Sequence, residues 1–359
     1  MGGLTSYFIR RILLTIPTFL GITIIFFFVL QIVPGGPLEQ EIMKLRSGMA
    51  NMGGAGQFGA TSDAGVSSGG GSDTGGMEIP AEAMEEMKKF YGMDKPIHMR
   101  YIHWLWNVVQ LDLGTSYYFA EPVWDLIKSR MPISIYFGFL GFFISYSICI
   151  PLGVAKAIKH GSPFDTASSI LVFVGYSIPG WAFGAILLVL LGGGSFWDVF
   201  PLGEFTSENY DSLNAWDKFL DKAHHTVLPA IAWTITSFAT MTVLMKNSLM
   251  ENMGQDYVRT AFAKGLGEKR VIFVHAMRNS LIPLATGIGN LIGLFLAGSY
   301  MIEKTFNING MGLLSYNAIL QRDYPIALGF LVFAGIIRLF GNLISDVVYA
   351  VVDPRIRFK

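Results

Sequence analysis

Long apolar runs without charge recur along the chain, separated by short polar or glycine-containing connections. A helix needs about 20 mostly apolar residues to cross the hydrocarbon core of a bilayer. Six stretches meet that requirement: 12–33, 132–155, 168–191, 227–245, 283–302 and 325–352. The first five contain no Asp, Glu, Lys or Arg, and only the sixth is interrupted, by Arg338 and Asp346. Arg10 and Arg11 ahead of the first run superficially resemble the start of a signal peptide. That run is longer than a signal's apolar region and no small-residue cleavage site follows, so it is expected to stay as the first transmembrane helix, residues 1–33.

The connections differ in kind. Residues 34–131 form a long loop, of which 47–76 is Gly/Ser/Ala-rich without apolar periodicity and is expected to be a flexible insert. Residues 81–91 read as a short helix, acidic early and basic late, as its dipole prefers. Trp104, Trp106, Tyr117, Tyr118, Phe119 and Trp124 follow, suited either to a membrane–water interface or to a small folded cap. The remaining residues, 132–359, read as a five-helix core, with a tight turn at KAIKHGSPFD and a segment at 246–282 too long for a simple turn.

Composition agrees: 52% of residues are hydrophobic and 14% charged, where soluble domains average about 25% charged. Lys plus Arg equals Asp plus Glu, 26 each, so nothing in the balance points to nucleic acid. The placement of the cations is more informative. With the N-terminus inside, the inner segments carry thirteen Lys and Arg and the two short outer loops carry four (Lys218, Lys222, Lys304 and Arg322), which predicts that both termini are cytosolic and residues 34–131 lie outside. Cys149, the one cysteine, stands inside an apolar run, which excludes disulfide frameworks and cysteine-based metal sites.

The candidate chemistry is sparse. There is no Gly-Lys dipeptide and hence no P-loop, and no H-E-x-x-H. His98, His103, His160, His224, His225 and His275 form no pair at helical ligand spacing; His224–His225 reads as an interfacial polar pair in preference to a metal site, and no metal is expected. Carboxylates are absent from the first five runs, where ion-driven carriers place them, so the driving energy is expected to come from outside the chain. Arg338, Asn342 and Asp346 follow at four-residue steps as one polar stripe, which fits packing and pairing or a substrate contact. Gly180–Gly184 and Gly289–Gly293 allow close helix approach. Pro179 after Tyr176–Ser177 disturbs the third helix, as a packing kink or as part of a cavity wall. Tyr176, Ser177, Pro179, Asn290 and Arg338 are the candidates for a translocation path.

The informative segment is YVRTAFAKGLGEKRVIFVHAMRNSLIP at 257–283. It reads as a helix, a glycine-containing break and a second amphipathic helix. Ala263 and Gly265 have almost no side chain, so another protein's surface could approach the backbone there, although a helix lying on the bilayer also fits. The stretch A-F-A-K-G-L-G followed by H-A-M-R-N-S-L-I-P resembles the coupling loop of binding-protein-dependent ABC importer permeases. The start, F-I-R-R-I-L-L-T-I-P with Q-I-V-P-G-G-P, and the end, R-D-Y-P-I-A-L-G through S-D-V-V-Y-A-V-V-D-P-R-I-R, are similar to the oligopeptide, dipeptide and nickel branch. Pro-Gly-Gly-Pro at 34–37, the Gly-rich insert and G-G-G-S-F-W-D-V-F-P-L-G at 192–203 are closest to its Yej-type peptide permeases, which also admit microcin C.

The resemblance implies an all-α type I ABC importer permease, a multi-pass protein of the bacterial inner membrane. It implies that Ala261, Ala263, Lys264, Gly265 and Gly267 couple to an ATPase, with His275, Arg278, Asn279 and Pro283 on the return to the membrane. Thr260-Ala261 stands where the family usually has Glu-Ala, a replacement common in the peptide branch. The implied partners are a second permease subunit, ATP-binding subunits, a periplasmic substrate-binding protein and membrane lipid, without nucleic acid. ATP and Mg would sit on the ATPase, no cofactor on this chain, and the chain would do no covalent chemistry. The implied cargo is peptide, with nickel, glutathione or oligosaccharide as alternatives. An intramembrane enzyme or a passive channel is the reading from a different class, and the runs hold no paired intramembrane aspartates for the former.

Overall fold

The computed structural model describes residues 2–32, 36, 38, 39, 42, 81–90, 93–194, 196–285 and 298–352, and its regular elements are helices. In chain order they are α1 (Gly2–Ile32), α2 (Ala81–Phe90), α3 (Ile97–Val109), α4 (Val123–Ile158), α5 (Pro163–Ser177), α6 (Gly180–Leu191) and α7 (Ala215–Met253). Then come α8 (Asp256–Ala263), α9 (Glu268–Arg270), a π turn (Val271–Ala276), α10 (Met277–Ser280), α11 (Tyr300–Thr305), α12 (Met311–Leu320) and α13 (Tyr324–Val352).

Among the described residues, three helices are long and apolar enough to cross a membrane, or up to five spans if each of two bent pairs is one span. The expected single helix over 168–191 is not continuous: α5 and α6 meet at 94°. Pro179 has no amide hydrogen and pushes Ile178 into extended backbone (φ −100°, ψ 123°), so the helix ends and restarts. The run at 227–245 lies within α7, which bends by 52° between Ala215–Ile235 and Ser237–Met253. At that bend Thr234 Oγ1 donates to the Ala230 carbonyl at 2.9 Å and Ser237 Oγ to the Thr234 carbonyl at 2.8 Å, competing with the helical ladder. Residues 286–297, with Asn290 and Gly289–Gly293, and the Gly/Ser-rich 47–76 lie outside the described residues.

The chain divides into two compact units: 1–19, 125–317 and 330–359 form the larger, and 20–124 with 318–329 the smaller. In the larger unit, α4 meets α7 where side chains are small. A Cβ on Gly153 would stand 2.7 Å from Met245 Cβ and 2.9 Å from the Thr242 carbonyl oxygen. Likewise a Cβ on Gly184 of α6 would meet Phe306 Cε2 at 2.8 Å, within a core of Phe137, Leu188, Leu228, Ala232 and Ile302. Glu303, 2% exposed, pins the loop after α11: its carboxylate accepts from Leu313 N at 2.7 Å, Ser299 N at 3.2 Å and Ser134 Oγ at 3.4 Å. Burial pushes that carboxyl up, and the amide donors oppose the shift.

In the smaller unit, Phe27, Tyr101 and Leu328 form the core, with Trp104 and Leu105 packed against it. Asp323 caps α13. It accepts from Ser116 Oγ at 2.6 Å and Tyr118 N at 3.0 Å, and so fixes the turn before α4 onto the first turn of α13.

Replacing Gly153 with Val puts branched carbon where Met245 already sits. Overpacking of this kind costs about 1–3 kcal/mol. The Gly153→Val protein is therefore expected to melt at lower temperature in detergent than wild type, whereas Gly161→Ala, on an open turn, changes little beyond its backbone strain.

Candidate functional site

The segment after α7 is built on one short amphipathic helix. Val258 and Ala261 of α8 are buried, 2% and 6% exposed, against Met245 and Leu249 of α7 and Val271, Ile272 and Ala276 of the π turn. Phe262, Ala263, Lys264, Gly265 and Gly267 face outward. Ala261 therefore belongs to the inner face, and the outward surface begins one residue later.

The break after α8 is a defined cap. Gly265 sits at φ +75°, Leu266 N donates to the Ala261 carbonyl at 3.3 Å, and Gly265 N donates to the Phe262 carbonyl at 2.9 Å. That pairing, with Leu266 packed on the Ala261 core, is a Schellman closure. Gly265 thus has a conformational duty of its own, because only glycine adopts this backbone without strain. No atom lies within 4 Å of a Cβ added at Gly265 or Gly267, so the patch is sterically open.

Beyond α9 the π turn widens the helix, burying Val271, Ile272 and Ala276 while Phe273 and Val274 are exposed at 53% and 55%. His275 is half-buried, and Arg278 and Asn279 are exposed on α10. Two ties hold this return segment down. Ser248 Oγ donates to the Ser280 carbonyl at 3.0 Å, and Tyr146 OH of α4 donates to the Leu284 carbonyl at 2.9 Å.

Next to this segment lies a buried ionic cluster that charge counting registered only as inner cations. Asp165, in the first turn of α5, receives Lys246 Nζ of α7 at 2.8 and 2.7 Å. Lys156 Nζ of α4 stands 3.1 Å from the same carboxylate and donates to the Asp165 carbonyl at 2.9 Å, Ser168 Oγ at 2.8 Å and Ser169 Oγ at 2.7 Å. Gly161 N, at 3.2 Å, and His160 Nδ1, at 3.3 Å, complete the shell. Lys156 is 1% exposed and Asp165 5%. One carboxylate therefore joins α4, α5 and α7 where α7 leads into α8. A readable trace of it was present: Ser162-x-x-Asp165 before an apolar run is a capping-box pattern, and Ser162 Oγ accepts from Asp165 N at 3.3 Å.

The path candidates are dispersed. Tyr176 and Phe173 line a groove of ≈ 360 Å³ with Ala239, Thr240, Val243 and Asn247. Ser177 Oγ donates back to the Phe173 carbonyl at 2.8 Å, and Pro179 precedes α6. Arg338 is exposed on α13 and does not line that groove. His224 Nε2 lies 2.8 Å from the Val199 carbonyl and His225 Nδ1 3.0 Å from the Gly203 carbonyl, so both rings fasten the 192–214 loop to α7.

Residues 149–358, which hold the cluster, α8 and its cap, match the family described as binding-protein-dependent transport system inner membrane component. The chain belongs to this family. It is 41% identical over 99% of both chains to the inner membrane ABC transporter permease protein YejB of Escherichia coli O157:H7. It is 40% identical to the peptidoglycan transport system permease protein YejB of Agrobacterium fabrum, over 99% of this chain and 98% of that one. It is 33% identical to the oligopeptide transport system permease protein AppB of Bacillus subtilis, over 99% of this chain and 100% of that one. This family member is accordingly a multi-pass inner-membrane transport component and not an enzyme in its own right.

Removing one partner of a buried ionic cluster leaves the others uncompensated. Asp165→Asn is expected to lower the thermal midpoint of the purified protein, because two lysines then share a site without a carboxylate. Adding Lys246→Met should recover part of that loss, since Lys156 keeps its carbonyl and two serine acceptors. A double variant no more stable than the single would contradict the ionic account.

Proposed function

We propose that this chain is one of two membrane subunits of an ATP-driven importer of peptides, and that the outward patch of α8 and its cap receives the ATPase. The observation that carries the reading is the patch itself: small exposed residues at 263, 265 and 267 on a rigid capped helix, whose inner face is packed on α7 and the π turn. The excess of inner cations supports a cytosolic side for that patch and for both termini. ATP on the partner subunits supplies the closing force. This chain's residues receive the push at Ala263–Gly267 and pass it to α4, α5 and α7 through the apolar core and the Asp165 cluster. A receptor outside delivers the cargo, and alternating access follows from a two-state equilibrium biased by both partners. Peptide is favoured as cargo by the named relatives, one of which handles oligopeptides and another peptidoglycan.

The test is ATP-dependent peptide uptake in cells lacking this gene. Ala263→Arg introduces bulk on the exposed face without touching the glycine cap. It is expected to insert normally, melt like wild type and lose both uptake and bound ATPase. Gly265→Ala strains the cap by about 1 kcal/mol and should keep most of the uptake. Normal uptake by Ala263→Arg would remove the docking assignment.

Orientation has its own check. A cysteine at Lys264 in a Cys149→Ala background should react with an impermeant maleimide only after permeabilisation, and one at Glu208 in intact spheroplasts. The reverse pattern would invert the topology.

A further inference from the structure

The smaller unit holds a cavity of ≈ 690 Å³, within the size range of small-molecule sites. One face of α3 walls it with Arg100, His103, Trp104 and Asn107, at helical spacing, and Phe27 and Tyr324 stand among the other lining residues. A separate face of the same helix carries Met99, Ile102, Trp106 and Val109, all more than half exposed, which suits contact with acyl chains. The cavity face is polar where that face is apolar.

Among the described residues, neither of two donors in the wall meets a carboxylate at hydrogen-bond distance. The half-buried Arg100 donates from Nη2 to the neutral side-chain amide of Gln31 at 2.5 Å, a contact that does not offset its charge. Burial lowers the pKa of that guanidinium, and nearby Tyr117, Tyr324 and Asp94 favour its charged form. The Trp104 indole N–H is buried and, among the described residues, has no acceptor. A buried donor without an acceptor is costly, and a guanidinium is the side chain best shaped to take a planar carboxylate with two hydrogen bonds. Lys89 and Lys95 add positive charge to the lining, and Asp94 supplies an anion for a ligand's ammonium end.

We infer that this cavity binds a short peptide by its free α-carboxylate, held by the Arg100 guanidinium and the Trp104 indole N–H. The inference rests on the peptide-importer reading and adds to it a recognition site on the membrane subunit. The charged terminus is what the site selects, and side chains would contact the aromatic wall.

The test measures binding of trialanine and of trialanine amide to the full-length protein in phosphatidylcholine nanodiscs, with peptide uptake followed in parallel in cells. Wild type is expected to bind the acid at least tenfold more tightly than the amide. Arg100→Gln should abolish that preference, and Trp104→Phe, which keeps the ring packing, should reduce it severalfold. Equal binding of acid and amide while cells still import trialanine would overturn the site and leave the importer reading standing. Failure of wild type to import any peptide would instead overturn the reading beneath it. If phosphatidylglycerol nanodiscs displace trialanine, the anion site serves a lipid headgroup and the inference is wrong.

Discussion

A carboxylate buried between two lysines is the constraint on which the α7 end of this protein depends. Asp165, Lys156 and Lys246 come from three helices; Asp165 and Lys156 are buried, and Lys246 is 14% exposed. Such a group is tolerable only when every partner is in place, because stripping water from an ion costs several kcal/mol that only good geometry offsets. The cluster therefore permits one arrangement of α4, α5 and α7. Around it the apolar contacts take their register: glycine at 153 admits Met245, and Met245 in turn meets the inner face of α8.

That arrangement separates holding from receiving within a few residues. Val258, Ala261 and Leu266 serve the core, while Ala263, Lys264 and Gly267 are left outward. The Schellman cap at Gly265 is what turns the chain sharply enough to do both. Small side chains in this stretch thus answer two different demands, close packing inward at Ala261 and open access outward at Ala263. A substitution at Gly265 tests backbone conformation as well as docking, and so Ala263 is the cleaner position for the latter.

The apolar runs made the helical class, the first and last long helices and the break before the return helix legible, since those features need only hydropathy and glycine placement. The 94° turn at Pro179 was legible as a disturbance and not as an angle, because proline states where a helix is interrupted while packing decides where the chain goes next. The burial of Asp165, Glu303 and Asp323 was not legible, although Ser162-x-x-Asp165 marked a helix start. Each lies just beyond an apolar run, where a lone carboxylate looks like an ordinary solvated end, and each has a partner 81 or more residues away that local sequence does not reveal: Lys246, Ser134 and Ser116. The resemblance names Ala261 together with Ala263 and Gly265 and does not show that its side chain is buried beside Val258, because burial is set by packing on α7 and the π turn.

If the Asp165 clamp carries the motion, α8 and the ends of α4 and α5 move as one body when a partner ATPase closes. The most direct measurement is a pulsed dipolar distance between spin labels at Lys159 and at Arg259, an exposed α8 residue outside the docking patch, in the reconstituted complex. It is taken with and without a non-hydrolysable ATP analogue, under conditions where ATP supports peptide uptake. One narrow distance is expected, unchanged by nucleotide and broadened in Asp165→Asn. A distance that shifts with nucleotide in the wild-type chain would show that α8 moves independently of the helices it is held against, and the clamp would then not be the element that carries the motion.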